Sequence, residues 1–150
     1  MDFASSNIAT ININTITNTT KLNALRTFLR TLDIDIALLQ EVENDQIILP
    51  GYNVVSNVDN TRRRTAIALK EHIQFDSVER SLDGRLIALR VNNTTLANVY
   101  APSGSVAHAE RERFFNNTVA YYLRPCTDYV VLGGDFNCSQ EFRSYHDRTY

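Results

Sequence analysis

The sequence has few of the residues that build metal sites from nitrogen and sulfur. It contains two cysteines, Cys126 and Cys138, and three histidines, His72, His108 and His146. Neither set has the spacing of a zinc site. We expect both cysteines to be free thiols, as is usual in a reducing compartment. A metal bound by this chain is therefore expected to depend on oxygen ligands.

Long hydrophobic runs are also missing. The longest apolar runs are only a few residues, too short to span a membrane. The N-terminal segment MDFASSNIAT has neither the basic start nor the continuous apolar core of a secretory signal. We therefore expect a nuclear or cytoplasmic protein that is not secreted and has no membrane partner.

The chain has no excess of basic residues. Its formal net charge is -2 and its pI is about 5.9, which excludes a basic nucleic-acid coat protein. These values do not exclude a nuclease, because an enzyme can hold a few phosphates with a metal and local groups. With 43% hydrophobic and 21% charged residues, the 150 residues are typical of one globular domain, residues 1–150.

Hydrophobic periodicity predicts strands and two helices. Alternation predicts a first strand over Ile8–Thr15, and a stripe of leucines with Asn18–Thr20 as its cap predicts a helix after it. A second helix is predicted over Val106–Leu123. The other predicted strands are Ile36–Leu39, Tyr52–Val58, Thr65–Lys70, Phe75–Val78, Leu86–Val91, Thr95–Tyr100 and Tyr129–Leu132. This order, with an antiparallel meander in the middle, indicates an α/β or α+β fold.

The segment YVVLGGDFNCSQ carries the clearest polar motif. Tyr129–Leu132 has the composition of a buried strand, and Gly133 with Gly134 allows a sharp turn or a close approach of the backbone. In an extended chain Asp135 and Asn137 would share one face, with the intervening phenylalanine on the other. Alternatively, Asp and Asn are simply turn formers after a strand.

Three other predicted strands also end in polar residues. These ends are Asn12, Glu41 and Tyr100, which join the Asp135 and Asn137 pair. Carboxylates at the ends of buried strands are costly unless water, a partner or a metal satisfies them. A cluster of oxygen ligands suits Mg²⁺, which binds through one or two carboxylates, waters and substrate phosphate. The set therefore favours phosphoryl chemistry.

Five segments together carry a family resemblance. In order they read TININT, DIALLQEVE, RTAIAL, LANVYAPSG and VVLGGDFNC, and they span Ile8–Cys138. The chain resembles the endonuclease/exonuclease/phosphatase superfamily, and within it the apurinic-like endonuclease domain of LINE-type non-LTR retrotransposons. The resemblance implies a DNase I-like α/β/β/α sandwich of four layers. It also implies hydrolysis of DNA phosphodiester bonds with Mg²⁺, or alternatively Mn²⁺, as cofactor and DNA as partner.

The resemblance also assigns roles to the five polar residues. Glu41 corresponds to the metal ligand, and Asn12 helps to order the metal and the phosphate. Tyr100 would contact the scissile phosphate. Asp135 would orient or activate the attacking water, and Asn137 would hold both Asp135 and the phosphate.

Alternatives remain open at several positions. Asn14 competes with Asn12 for the family position, and Asn12 could be an ordinary exposed strand residue. Tyr100 could be an aromatic at the edge of the core. Glu41 could be a surface acid. The arginine-rich segment Thr61–Thr65 is either a solvated loop or a contact with the DNA backbone.

The C-terminal part departs from the family pattern. Family members continue beyond the G-D-x-N segment with further strands and a terminal Ser-Asp-His block, whereas this chain ends in SQEFRSYHDRTY. The pair His146-Asp147 has the right residue types in the wrong order. We therefore expect the last strands to be missing and DNA cleavage to be weak or absent. The alternatives are a non-catalytic remnant and a phosphodiesterase of the same superfamily acting on a phosphoinositide or lipid.

Overall fold

The computed structural model describes residues 5–16, 18–43, 47–57 and 64–138. Its strands lie close to the predicted ones. They are β1 (Ile8–Asn12), β2 (Ile36–Gln40), β3 (Tyr52–Asn57), β4 (Thr65–Lys70), β5 (Asp76–Arg80), β6 (Leu86–Val91), β7 (Thr94–Tyr100) and β8 (Tyr129–Asp135). The first strand ends at Asn12 and not at Thr15, because Asn14 and Thr15 adopt positive φ angles of 42° and 55°.

The strands form two four-stranded sheets. The first has the order β1-β2-β4-β3 and the second the order β5-β6-β7-β8. The pairs β1–β2 and β7–β8 are parallel, and the other neighbours are antiparallel. The predicted antiparallel meander is divided between the two sheets, since β3 and β4 pair in the first, β5, β6 and β7 pair in the second, and the chain changes sheet between β4 and β5. Because the two sheets pack against each other and a helix covers the outer face of each, both faces of β4 and β6 are buried.

One helix covers the outer face of the first sheet. This helix, α1 (Thr19–Thr31), begins at Asn18, whose side-chain oxygen accepts a hydrogen bond of 2.9 Å from the backbone nitrogen of Lys21. Leu25 and Leu29 are its buried residues. They pack with the alternate side chains of the first sheet, including Ala37, Leu39, Ala66 and Ala68.

A composite helix covers the outer face of the second sheet. It consists of a 3-10 turn (Ser105–Ala107), α2 (His108–Arg113), a π-helical segment (Phe114–Val119) and α3 (Ala120–Leu123). Its buried residues pack with Leu86, Ala88, Ala97 and Val99. The predicted extent of this helix, Val106–Leu123, is confirmed to within one residue at its start.

The core between the two sheets completes a four-layer sandwich. Strand β2 contributes Ile36 and Leu38 to this inter-sheet core, whereas Ala37 and Leu39 face α1. Both of its faces are thus buried, which explains the continuous apolar run IALL. The predicted α/β/β/α architecture is confirmed. None of the helices within the described ranges is long and apolar enough to cross a membrane.

Strand β8 differs from its prediction as a buried strand. It is the last strand of the second sheet, and Tyr129, Val130 and Leu132 remain 71%, 40% and 38% exposed. Of its apolar side chains, Val131 packs against the inter-sheet core. An apolar composition could not distinguish an edge position from a central one, since burial depends on neighbouring strands.

The two glycines lie inside β8 and do not end it. They pair with Asn98 and Val99 of β7, and the strand continues to Asp135. A Cβ atom on Gly133 would lie 2.6 Å from Leu38 Cδ1, and one on Gly134 would lie 2.1 Å from the carbonyl oxygen of Val99. Gly134, with a φ angle of 135°, therefore requires glycine, because a Cβ atom there would meet the backbone of β7, whereas the atom nearest to Gly133 is the end of a flexible side chain that can shift. The close approach predicted for these glycines is to the protein's own strands.

Cys126 and Cys138 are free thiols, as predicted.

Candidate active site

The candidate site lies at one end of the sandwich, where the inward-facing residues of four strands change from apolar to polar. On β1, β2, β7 and β8, every second residue faces the inter-sheet core, which is apolar at its centre. The rows are Ile8, Thr10 and Asn12; Ile36, Leu38 and Gln40; Leu96, Asn98 and Tyr100; and Val131, Gly133 and Asp135. Each row thus passes from an apolar residue to a polar one within the length of a strand.

Asn12 lies at the centre of the hydrogen-bonded cluster. Its Nδ2 donates to Glu41 Oε1 at 2.9 Å and to Asp135 Oδ2 at 3.0 Å, although 123 positions separate Asn12 from Asp135. Its Oδ1 accepts a hydrogen bond of 2.9 Å from the backbone nitrogen of Asn14. Of the two competing asparagines, Asn12 therefore contacts the carboxylates through its side chain, and Asn14 supports it through the backbone.

Glu41 follows β2 in a strained backbone conformation. Its φ angle is 56°, in the left-handed region that costs a residue with a Cβ about 1 kcal/mol or more. Its Oε1 accepts hydrogen bonds from both Asn12 and Tyr100, whereas Oε2 has no hydrogen-bond partner in the part of the chain that the structure describes. One oxygen of the Glu41 carboxylate is therefore held by two hydrogen bonds, and the other is available to a ligand.

Tyr100 is fixed by groups on both sides of its ring. Its hydroxyl donates to Glu41 Oε1 at 3.0 Å. The Arg85 guanidinium lies 5.4 Å from the ring centroid, and its Nη1 donates to the carbonyl oxygen of Tyr100 at 2.9 Å. Burial, followed by the hydrogen bond to Glu41, raises the pKa of Tyr100 above its ordinary value. The hydroxyl therefore remains a donor at neutral pH.

Arg85 was missed by the sequence reasoning. It follows the predicted turn at Asp83-Gly84 and is only 6% exposed. The only signal was a charged residue directly before a buried strand.

Asp135 is held by hydrogen bonds to both of its carboxylate oxygens. Oδ2 accepts from Asn12, and Oδ1 accepts from the backbone nitrogen of Asn137 at 3.0 Å. Asn137 has a φ angle of 48°, and its Nδ2 donates to the carbonyl oxygen of Ala101 at 2.7 Å. The predicted extended alternation through Asn137 was therefore wrong, because the chain turns after Asp135. Phe136 does anchor this turn, by packing against the outer cluster of the second sheet.

The donor set of this cluster fits a hard cation. Glu41 and Asp135 supply two carboxylates, and the side-chain amide of Asn12 contacts both through its nitrogen. Within residues 5–16, 18–43, 47–57 and 64–138, no group of three or more His, Cys, Asp or Glu side chains could hold a metal. Two carboxylates with waters are nevertheless enough for Mg²⁺, which keeps much of its hydration shell. Neither carboxylate forms an ion pair with another described residue.

Two predicted features fall outside the described residues. Thr61, Arg62 and Arg63 of the arginine-rich segment lie there, as does the His146-Asp147 pair. The next residue, Arg64, donates a hydrogen bond to the backbone carbonyl of Glu43. Contact of the arginine-rich segment with DNA stays a prediction.

Comparison with known proteins identifies the family of this chain. Residues 6–150 match the model of the endonuclease/exonuclease/phosphatase family. The chain belongs to this family, as its sequence motifs predicted.

Individual relatives agree with the family assignment. The chain is 27% identical, over 91% of its length, to an uncharacterized 149 kDa protein of transposon TX1 from Xenopus laevis, of which it covers 11%. It shares the fold of an AP endonuclease from Archaeoglobus fulgidus, with a TM-score of 0.69 and 23% identity over 89% of this chain. It also shares the fold of D. rerio TDP2 complexed with a single-strand DNA product, with a TM-score of 0.66 and 17% identity over 89% of this chain.

The chain is shorter than the proteins it matches. It spans 58% of the archaeal enzyme and 61% of TDP2. These likenesses show the fold of the part that this chain covers.

Proposed function

We propose that this chain is an endonuclease domain of retrotransposon origin that hydrolyses DNA phosphodiester bonds with a divalent cation, Mg²⁺ or Mn²⁺. The observation that carries the proposal is the single hydrogen-bonded cluster of Asn12, Glu41, Tyr100 and Asp135 at the polar end of the sandwich. The family assignment supports a phosphodiesterase or nuclease activity. The similarity to a transposon protein favours the retrotransposon branch of the family.

Glu41 and Asn12 are the residues that would hold the cation. The available Oε2 of Glu41 and the amide oxygen of Asn12 are both hard ligands. When bound, a divalent cation neutralises charge on the phosphate and polarises its oxygens. The hydrogen bonds that Asn12 and Tyr100 donate to Oε1 keep the Glu41 carboxylate oriented in its strained position.

Asp135 is the residue that would orient the attacking water and accept its proton. Its carboxylate cannot rotate freely, because Asn12 and the backbone of Asn137 each donate to one oxygen. A positioned general base typically accelerates proton transfer by about 10² to 10⁴-fold. The Tyr100 hydroxyl, which stays protonated at neutral pH, would donate a hydrogen bond to the scissile phosphate.

Phosphodiester hydrolysis of a phosphoinositide or lipid would use the same groups. DNA is favoured as the substrate because the similar TDP2 structure contains single-strand DNA product and the curated relative belongs to a transposon. The remaining alternative is a non-catalytic remnant of such a domain. This alternative predicts that no DNA cleavage depends on Asp135.

The test is nicking of supercoiled plasmid in the presence of Mg²⁺. It is run with this chain and with this chain joined to the sequence that follows the matched region in the Xenopus relative. We expect slow nicking by the chain alone, faster nicking by the joined form, and a loss of at least about 10²-fold on Asp135→Ala. The matched control is Asp76→Ala, which changes an exposed aspartate on β5 and should leave the rate unchanged. Nicking in neither form, or nicking that survives Asp135→Ala, would contradict the proposal.

A further inference from the structure

A pair of buried amides lies directly beneath the candidate site. Gln40 on β2 is 1% exposed and Asn98 on β7 is 0% exposed. Gln40 Nε2 donates to Asn98 Oδ1 at 2.8 Å across the two sheets. This cross-sheet contact is a polar link in a layer whose centre consists of aliphatic side chains. Buried amides are costly unless they are well satisfied, so their presence at this position requires a reason.

The hydrogen bonds of the pair reach every strand of the site except β8. Gln40 Nε2 is also 3.1 Å from Thr10 Oγ1 on β1 and 3.0 Å from the carbonyl oxygen of Leu38. Asn98 Nδ2 donates at 2.8 Å to the carbonyl oxygens of Leu39 and Ala66, on two strands of the first sheet. The network thus connects β1, β2 and β4 to β7.

Three of the four strands joined by the network, β1, β2 and β7, carry a site residue just beyond the connection. Asn12 follows Thr10 by two positions, Glu41 follows Gln40 directly, and Tyr100 follows Asn98 by two. Aliphatic packing alone fixes the separation of two sheets but only weakly fixes how far one slides along the other. Directional hydrogen bonds fix that offset, because they weaken steeply when donor and acceptor are displaced.

We propose that Gln40 and Asn98 are positioning residues that hold the two sheets at the offset where Glu41 meets the Tyr100 hydroxyl and Asn12 bridges the two carboxylates. The contact between Glu41 and Tyr100 joins the two sheets, and it survives only a small displacement. This positioning role depends only on the hydrogen bonds between the sheets. Its consequence for cation binding rests on the proposed function.

The chain offers a matched control in Asn57. This amide is 4% exposed and also joins the sheets, since its Nδ2 donates to the carbonyl oxygens of Ser81 at 2.9 Å and Leu86 at 2.7 Å. It lies on β3, which β4 separates from β2 in the first sheet. Loss of Asn57 therefore removes a buried cross-sheet link without touching the strands that carry Asn12 and Glu41.

The experiment compares Gln40→Met, Gln40→Asn and Asn57→Leu in the full chain. The first readout is the coupling between Glu41 and Tyr100, from a double-mutant cycle of Glu41→Ala and Tyr100→Phe followed by urea unfolding. The second is the affinity for Mn²⁺, measured by electron paramagnetic resonance. Unfolding midpoints show in addition how much general stability each variant loses.

We expect both Gln40 variants to abolish the coupling and to weaken Mn²⁺ binding about tenfold, the size of effect typical of residues that orient ligands. Asn57→Leu should lower the unfolding midpoint but leave coupling and affinity unchanged. Adding Asn98→Gln to Gln40→Asn restores the combined length of the two side chains. The double variant should therefore recover part of the Glu41–Tyr100 coupling and part of the Mn²⁺ affinity.

Two results would overturn the proposal. One is coupling that persists in the folded Gln40→Asn chain, and the other is an equal loss of coupling in Asn57→Leu, which would indicate general destabilisation. Absence of Mn²⁺ binding by the unaltered chain would count against the proposed function, and the coupling measurement would then decide the positioning role by itself.

Discussion

The two ends of β2 carry carboxylates in opposite electrostatic settings. Asp35 directly precedes the strand, and Glu41 directly follows it. Lys70 Nζ lies 2.9 Å from Asp35 Oδ1 and 2.6 Å from Asp33 Oδ1. Glu41, by contrast, receives hydrogen bonds from the neutral groups of Asn12 and Tyr100. The same strand therefore begins in a neutralised ion pair and ends in a carboxylate that has no ion-pair partner among residues 5–16, 18–43, 47–57 and 64–138.

The pKa values at the Lys70 end reflect this pairing. Burial by itself raises the pKa of Asp35, but the hydrogen bonds from Lys70 and from the backbone nitrogen of Asn7 outweigh it and hold the pKa below its ordinary value. Hydrogen bonds to Asp33 and Asp35 in turn raise the pKa of Lys70. The charges at the Lys70 end stabilise one another, whereas no basic side chain in the described part of the chain forms an ion pair with Glu41 or Asp135 at the other end.

The largest expected effect concerns cation affinity. Glu41→Gln keeps the shape of the side chain and its acceptor for Tyr100 but removes the charge, so we expect Mg²⁺ and Mn²⁺ to bind at least about tenfold more weakly. Asp35→Asn makes the same chemical change at the other end of β2 and should leave affinity within about twofold. Calorimetric titration measures both. Equal affinities of Glu41→Gln and the unaltered chain would remove Glu41 from its proposed role.

The second prediction is that removing a charge destabilises the Lys70 end of β2 but not the Glu41 end. Lys70→Met leaves the partly buried Asp35 without its partner and should lower the free energy of unfolding by about 1–2 kcal/mol. Asp135→Asn removes a charge that repels Glu41, which offsets the loss of one of the two hydrogen bonds that its carboxylate accepts, so this free energy should change by less than about 0.5 kcal/mol in the absence of metal. Urea unfolding at neutral pH measures both variants. A loss of 1 kcal/mol or more in Asp135→Asn would mean that the acidic end is a stabilising structure and not a prepared binding site.

The smallest expected effect is the pH dependence of the ion pair. Because the folded pKa of Asp35 is lowered, its contribution to stability is fully present above the ordinary aspartate pKa of about 3.9. It is lost as the pH falls through the lowered value. The difference in unfolding free energy between the unaltered chain and Asp35→Asn, less than about 1 kcal/mol at pH 6, should therefore shrink as the pH falls below about 3.9 and approach zero below the lowered pKa. A difference that stays constant over this range would show that Asp35 acts through packing and not through its charge.

Much of the fold could be predicted because it follows from local patterns. Strand β1 alternates in polarity, β2 is apolar on both faces, and α1 has a leucine stripe behind an asparagine cap, so each was found close to its observed bounds. The family motifs added the four-layer architecture. Local patterns could not predict the exposure of β8 or the division of the meander between two sheets. Both depend on which strands become neighbours.

The five polar residues of the site were identified as strand endings, but their mutual contacts were not predictable in detail. No local pattern shows that one nitrogen of Asn12 reaches both Glu41 and Asp135, or that Asn137 turns away to bind Ala101. The sequence pattern gave little indication of three further residues, Arg85, Gln40 and Asn98. Each is only a polar residue beside or inside an apolar strand.

The sequence by itself determined which residues are polar at the strand ends, which segments form strands and helices, and to which family the chain belongs. Those properties depend on residue order within a few positions, where steric preference and side-chain periodicity act. Only the tertiary structure decided that Asn12, Glu41, Tyr100 and Asp135 meet in one cluster, that Gly133 and Gly134 serve strand packing, and that one end of β2 is neutralised. These outcomes depend on the offset between two packed sheets, which long-range contacts determine.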